Sequence, residues 1–312
     1  MTSRTALLEE YIPLTLGGYA YSGRIVHQPN ATMAPIALVG GAFQHQRGWG
    51  RLEQGLLREA SVITVDLPGW GGADRLPSRH GFDFLAEALE QLLGKVAPST
   101  VNVMGASYGS GVAYQWAHHC PDRVERLALL GTMAHLTGHV RGRIAHLLRL
   151  AEGDDRSEFV RNVLDVMMCS APQITVCRRP TAVRCLTRAL HELSAEDIVK
   201  YRDNTERLLR MPGLPHTPAI RVPVLVATGE HDPLTTPALS REAACRFSDV
   251  RFTTFKDADH LVHLERPAEL VDLLGRFFSG APLAGLEYCH PVEYPGRTAR
   301  RPLPGPRASA EN

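Results

Sequence analysis

The sequence predicts an α/β fold, with a mostly parallel sheet covered by helices on both faces and interrupted by an all-helical insertion. Short continuous apolar runs of strand length occur at 36–39, 62–65, 101–104 and 127–130. Runs of this kind, apolar at every position rather than at alternate ones, suit strands covered on both faces. Helix-period segments separate them, as in βαβ units. From about 134 to 215 the strand rhythm stops, and it resumes at 222–227 and 250–255.

The segment 82–96 places Phe84, Leu85, Ala88, Leu89, Leu92 and Leu93 on one helical stripe. A second helix is expected from Gly109 to Cys120, with Pro121 as its stop signal. Inside the insertion, Phe159, Val163, Val166 and Met167 form one apolar stripe, and Val183, Leu186 and Leu190 form another. Ser194 followed by Glu196 and Asp197 starts a helix running to about Arg210. A last helix is expected over 269–278. The chain therefore divides into a core (1–133 and 216–280), a helical cap (134–215) and a Pro- and Arg-rich tail (281–312) expected to be largely disordered. The cap is either a small bundle with no role in the site or a lid. A lid suits its departure from a strand's C-terminal end, where ligands bind in parallel sheets.

Thirty-four basic and 33 acidic side chains give a formal charge of +1, so no basic field draws the chain to nucleic acid. Nowhere do 18 consecutive apolar residues occur, and no membrane partner is expected. The first 13 residues carry Glu9 and Glu10 and no apolar run, unlike a signal peptide. The six cysteines show no zinc spacing and are read as reduced thiols. A cytoplasmic location is expected.

The main chemical signal is Gly105-Ala106-Ser107-Tyr108-Gly109, between an expected strand and an expected helix. A strand that turns sharply into a helix brings two backbones close, which explains glycine two residues before and after the serine. The turn would hold Ser107 strained with its hydroxyl exposed. A serine hydroxyl needs a base, and the base a carboxylate to orient it. Asp232, in the run Gly229-Glu-His-Asp, and His260, in Asp257-Ala-Asp-His, each follow a strand, at the same sheet edge as Ser107. Glu230 is the alternative acid and His263 the alternative base. His260 and His263 lack a third partner at metal-binding spacing, so no metal is expected.

These motifs resemble those of the α/β-hydrolase superfamily, in the branch with a helical cap, over about 14–280. The segment Asp66-Leu-Pro-Gly-Trp-Gly-Gly-Ala-Asp74 is similar to the loop after that family's fourth strand, and Asp259 to Pro267 to its histidine loop and final helix. The resemblance implies an eight-stranded sheet and an acyl-serine mechanism without a cofactor. It also implies an oxyanion hole built from the backbone N–H of Tyr108 and of Ala42, with Phe43 as an alternative donor. Gly40 stands where the family usually has histidine, which leaves open how that loop is braced. Epoxide and haloalkane hydrolases of the family use aspartate where this chain has Ser107.

The leading expectation is cleavage of a small-molecule carboxylic ester or thioester, with Phe43, Trp70, Phe159 and Met167 as substrate contacts. The alternatives are a C–C bond hydrolase, a thioesterase-like enzyme of secondary metabolism, and a non-catalytic binding protein on the same fold. Arg178, Arg179, Arg184 and Arg188 form either a solvated helix face or a patch for an acyl carrier protein.

Overall fold

A computed structural model describes residues 7–215 and 220–295. Among these, eight strands form one sheet in the order β1-β2-β4-β3-β5-β6-β7-β8. The strands are β1 (Glu9–Leu16), β2 (Tyr19–Val26), β3 (Ile36–Val39), β4 (Val62–Asp66), β5 (Val101–Ala106), β6 (Val124–Leu130), β7 (Val224–Gly229) and β8 (Val250–Phe255). From β4 to β8 every pairing is parallel, and β1 and β2 pair antiparallel at one edge. That edge hairpin escaped the sequence reading. Its signal was present, because Ile12 and Leu14 alternate with exposed neighbours and Gly17-Gly18 makes the turn with positive φ at both residues.

The uniformly apolar central strands have a physical cause. In β3, Ala37 and Val39 point into one hydrophobic cluster while Ile36 and Leu38 point into another. The first cluster is closed by α2 (Phe82–Val96), α3 (Tyr108–His119) and α8 (Pro237–Ala244). The second is closed by α1 (Gly50–Leu56) and α10 (Pro267–Ser279). Each face is covered, so neither has reason to be polar.

Between β6 and β7 the chain builds α4 (Gly138–Ala151), α5 (Arg156–Met167), α6 (Arg179–His191) and α7 (Ala195–Leu209). Their apolar faces meet in a third cluster that includes Val140, Phe159, Val163 and Leu186, and that reaches the core through Leu234 and Leu261. Ser194 caps α7 with a reciprocal Asp197 capping box.

The tail expectation needs correction. Residues 281–295 pack on the sheet edge as a strap, bridging β8 at Phe252–Glu293 and Phe255–Cys289. Leu283, Leu286 and Cys289 are buried in the second cluster. Prolines obscured the spacing of these three apolar residues in the sequence. Residues 296–312 lie outside the described ones.

Candidate active site

β5 runs directly into α3, and Ser107 sits at the junction with φ 50° and ψ −117°. A side chain at Gly109 would collide with the carbonyls of Val39 and Gly40, and one at Gly105 would lie 2.5 Å from the Gly109 carbonyl. The flanking glycines therefore follow from the close approach of β5, α3 and the loop after β3. The Ser107 N–H donates to Leu130 O at 2.8 Å, which fixes the turn against β6.

Asp232 and His260 follow β7 and β8 and converge on this serine. The Ser107 hydroxyl donates to His260 Nε2 at 3.0 Å, and His260 Nδ1–H donates to Asp232 Oδ2 at 2.8 Å. The tautomer follows from this network rather than from observed protons. Asp232 and His260 are both buried. Asp232 Oδ2 also accepts the hydroxyls of Thr228 and Thr235, each at 2.6 Å, and Oδ1 accepts the N–H groups of Leu234 and Thr235. It is thus both a turn-forming residue and the partner of His260. Burial pushes the Asp232 carboxyl up, but His260 and the two hydroxyls outweigh this and hold it down at about 2. Burial opposes the His260 cation, yet the Asp232 charge outweighs it and raises the imidazole above its ordinary value.

Neither alternative residue hydrogen-bonds to Ser107 or His260 among the described residues, although His263 lines the second Ser107 cavity. Glu230 binds His231 and His290 on the outer side of the loop. His263 rests edge-on against Trp49, its ring centroid 6.0 Å away, and burial followed by the His260 charge lowers it to about 4. Thr228 and Thr235 carry no motif of their own in the sequence. Their signal is a hydroxyl on either side of Asp232, legible only once that aspartate is chosen.

Tyr108 is the first residue of α3, so its N–H has no partner within the helix. Across from it, a Cβ at Gly41 would lie 3.1 Å from Ser107 Cβ, which brings the Gly41-Ala42-Phe43 loop against the serine. Gln44 Oε1 accepts from Gly41 N at 3.3 Å and so braces this loop from within, and Asp66 holds the segment just after it. Its carboxylate accepts from Gln46 N at 2.7 Å, Gln46 Nε2 at 3.2 Å and Gly72 N at 3.2 Å. A side chain at Gly71 (φ 50°) would collide with that carboxylate, which explains the glycine directly after Trp70.

Two cavities open on Ser107. The first runs between Tyr108, Met133, Leu136, Ile144, Leu214 and Leu234. The second lies between Ala42, Phe43, Met167, Leu186, Ala189 and His260. Among the described residues, Ser107 is the single residue common to both linings. Of the four substrate contacts expected, Phe43 and Met167 line the second cavity. Phe159 does not. It is buried in the cap behind Phe43 and Tyr201, with ring centroids 6.2 and 5.7 Å away. Trp70 lines an adjoining cleft that shares Phe43 and Ala189 with the second cavity, and its ring stands edge-on to Tyr108.

For metals, the ligand atoms of Glu230, His231 and Asp257 come within 4.8 Å of one another. They lie outside the Ser107 cavities, and Arg266 already holds Asp257 at 2.9 Å, which disfavours a cation there.

The family model for the α/β hydrolase fold matches residues 35–267. The chain belongs to the α/β-hydrolase family. A poly(3-hydroxyalkanoate) depolymerase from Ectopseudomonas oleovorans is 36% identical over 76 residues, 24% of this chain and 27% of that protein. A pimeloyl-[acyl-carrier protein] methyl ester esterase from Neisseria meningitidis serogroup B is 27% identical over 227 residues, 70% of this chain and 83% of that protein. The match thus spans about a quarter of the first relative's length and most of the second's. Among solved structures, the enol-lactonase from Burkholderia xenovorans LB400 superposes with a TM-score of 0.74 at 22% identity, over 86% of this chain and 99% of that one. An α/β hydrolase from a Medee basin deep-sea metagenome library superposes with a TM-score of 0.75 at 15% identity, over 87% and 98% of the two chains. Likeness at these identities speaks for the fold. Among the described residues, no helix is long and apolar enough to cross a membrane.

Proposed function

We propose that this hydrolase cleaves a small-molecule carboxylic ester through an acyl intermediate on Ser107. The observation that carries the reading is the hydrogen-bonded chain from Ser107 through His260 to Asp232. In this reading His260 Nε2 takes the Ser107 proton as Oγ attacks the ester carbonyl. The carbonyl π electrons move to oxygen, where the N–H groups of Tyr108 and Ala42 stabilise the charge. Collapse breaks the acyl–oxygen bond, and His260 returns its proton to the departing alcohol. Water, activated by the same imidazole, then releases the acid and restores Ser107. Asp232 keeps the Nδ1–H tautomer and stabilises the cation formed in between.

The substrate in this reading is a small-molecule ester rather than an ester on an acyl carrier protein. Of the four arginines that could have met one, Arg179 turns inward to Asp259 and Arg188 binds Glu192 at 2.7 Å.

The test is hydrolysis of p-nitrophenyl acetate combined with fluorophosphonate labelling. Ser107→Ala should lose the label and about 10⁴-fold or more in kcat, with its melting temperature retained. A folded Ser107→Ala protein that still turns over the ester would remove Ser107 from the role. A wild-type protein that takes the label but turns over no ester would instead be a binding protein with a reactive serine.

A further inference from the structure

Among the described residues, the two cavities meet only at Ser107, and they differ in which other reacting group they contain. We infer that the substrate is an uncharged ester with an apolar group of several carbons on each side of the ester link. The acyl group occupies the cavity at Leu136 and Ile144, and the alcohol group the cavity at Met167 and Ala189. The inference rests on the esterase reading above and adds the substrate class.

The assignment of arms follows from proton transfer. The departing alkoxide oxygen has to receive its proton from His260 Nε2, within hydrogen-bond reach. His260 lines the second cavity and is absent from the lining of the first. The alcohol therefore leaves through the second cavity, past Leu186 and Ala189 of α6. The acyl carbon is bonded to Ser107 Oγ in the intermediate, and its chain has to extend away from the leaving oxygen. The first cavity, between Met133, Leu136, Ile144 and Leu214, is the space on that side.

The chemistry of the arms follows from the linings. Neither includes an aspartate, glutamate, lysine or arginine among the described residues. The basic side chains besides His260 are His135 in the first cavity and His45 and His263 in the second, so a carboxylate on either arm would lose water without meeting a permanent counter-charge, which is costly. Aliphatic carbons are favoured instead, at about four-fold in affinity per buried methylene. A methyl ester would leave the second cavity unfilled, and an acetate ester would leave the first unfilled. In balance, the ester transfers its acyl group to Ser107 and releases the alcohol, and water then cleaves the acyl-serine to the acid.

The experiment compares methyl butanoate, butyl acetate and butyl butanoate by acid release at constant pH, with p-nitrophenyl acetate as reference. The wild type should show kcat/KM for butyl butanoate about ten-fold or more above each of the others. Leu136→Trp should lower the ratio of butyl butanoate to butyl acetate, and Ala189→Trp the ratio of butyl butanoate to methyl butanoate. Should Leu136→Trp fail to fold, Met133→Phe tests the same cavity. Equal rates for methyl butanoate and butyl butanoate would overturn the proposal, as would variants that act on the opposite arm. Hydrolysis of p-nitrophenyl acetate alongside such a result would leave the esterase reading standing. Failure to hydrolyse any ester in the set would remove both.

Discussion

His260 and His263 lie three residues apart and meet opposite surroundings. His260 contacts a carboxylate, whereas His263 stands against Trp49 on the wall of the second cavity, where burial and the His260 charge lower its value. A general base has to be neutral to accept a proton, so activity should be lost as pH falls below the His260 value. Because that value is raised, the midpoint of the acid limb of kcat/KM is expected above 6.5. His260→Ala should lose about 10⁴-fold in kcat, and His263→Ala about ten-fold or less. An acid limb centred below pH 6, or the reverse ordering of the two mutants, would transfer the base role.

A second pair of titrating groups sits beneath His260 and was not legible in the sequence. Asp259 and Glu265 are both fully buried, and among the described residues Glu265 Oε1 has no hydrogen-bond partner. Arg179 of α6 lies 3.7 Å from Asp259. Burial pushes Asp259 up to about 6 and Glu265 up to about 8. An acid whose folded value is raised favours the folded state while protonated. That stability is present below the ordinary carboxylate range and is lost as pH rises through the folded values. The melting temperature should therefore fall between about pH 5 and pH 8, and Glu265→Gln should flatten the fall. Identical pH profiles for Glu265→Gln and wild type would show that this pair does not govern the slope.

At the scale of elements, what could be read in advance was what local sequence determines. The β5–turn–α3 junction was legible because backbone crowding dictates its glycines, and the cap helices because apolar stripes and the Ser194 cap lie within one segment. The strap at 281–295 was not, because its structure depends on β8, more than thirty residues earlier. Its anchors are Leu283 and Leu286, and removing either side chain should cost about 2 kcal/mol. Truncation after Gly280 also uncovers the outer edge of β8. The shortened chain should melt several degrees lower and aggregate on heating. An unchanged melting temperature would mean that the strap covers this edge without stabilising it.

Across the whole molecule, the cap is joined to the core unevenly. α7 carries most of the polar joints to the loop between β4 and α2. Asp203 accepts from Arg75 at 2.5 Å, Glu206 from Ser78 at 2.6 Å, and Asn204 donates to Gly69 O at 2.8 Å. Arg207 lies at the centre, 2% exposed, donating to Tyr108 OH at 3.1 Å and to the carbonyls of Leu76, Pro77 and His80. The sequence does not mark this role, since Arg207 is one of two arginines on a solvated-looking helix and its partners in the core lie about a hundred residues or more away. The consequence reaches Ser107, because Tyr108 adjoins it and supplies an N–H to the proposed oxyanion hole. Arg207→Leu leaves buried carbonyls and the Tyr108 hydroxyl without their donor, at a cost of about 3–5 kcal/mol. It should lower the melting temperature and also reduce kcat/KM on the remaining folded fraction, since α7 no longer fixes Tyr108 and the first cavity's wall at Leu208. Arg184→Ala, on an exposed stretch of α6 where its side chain donates to Thr181, should change neither by a measurable amount. Fluorescence melting and single-turnover kinetics on both variants separate the effects. A destabilised Arg207→Leu with wild-type kcat/KM at a temperature where it is folded would confine Arg207 to stability. Wild-type melting would show that α7 is held to the core by its apolar face instead.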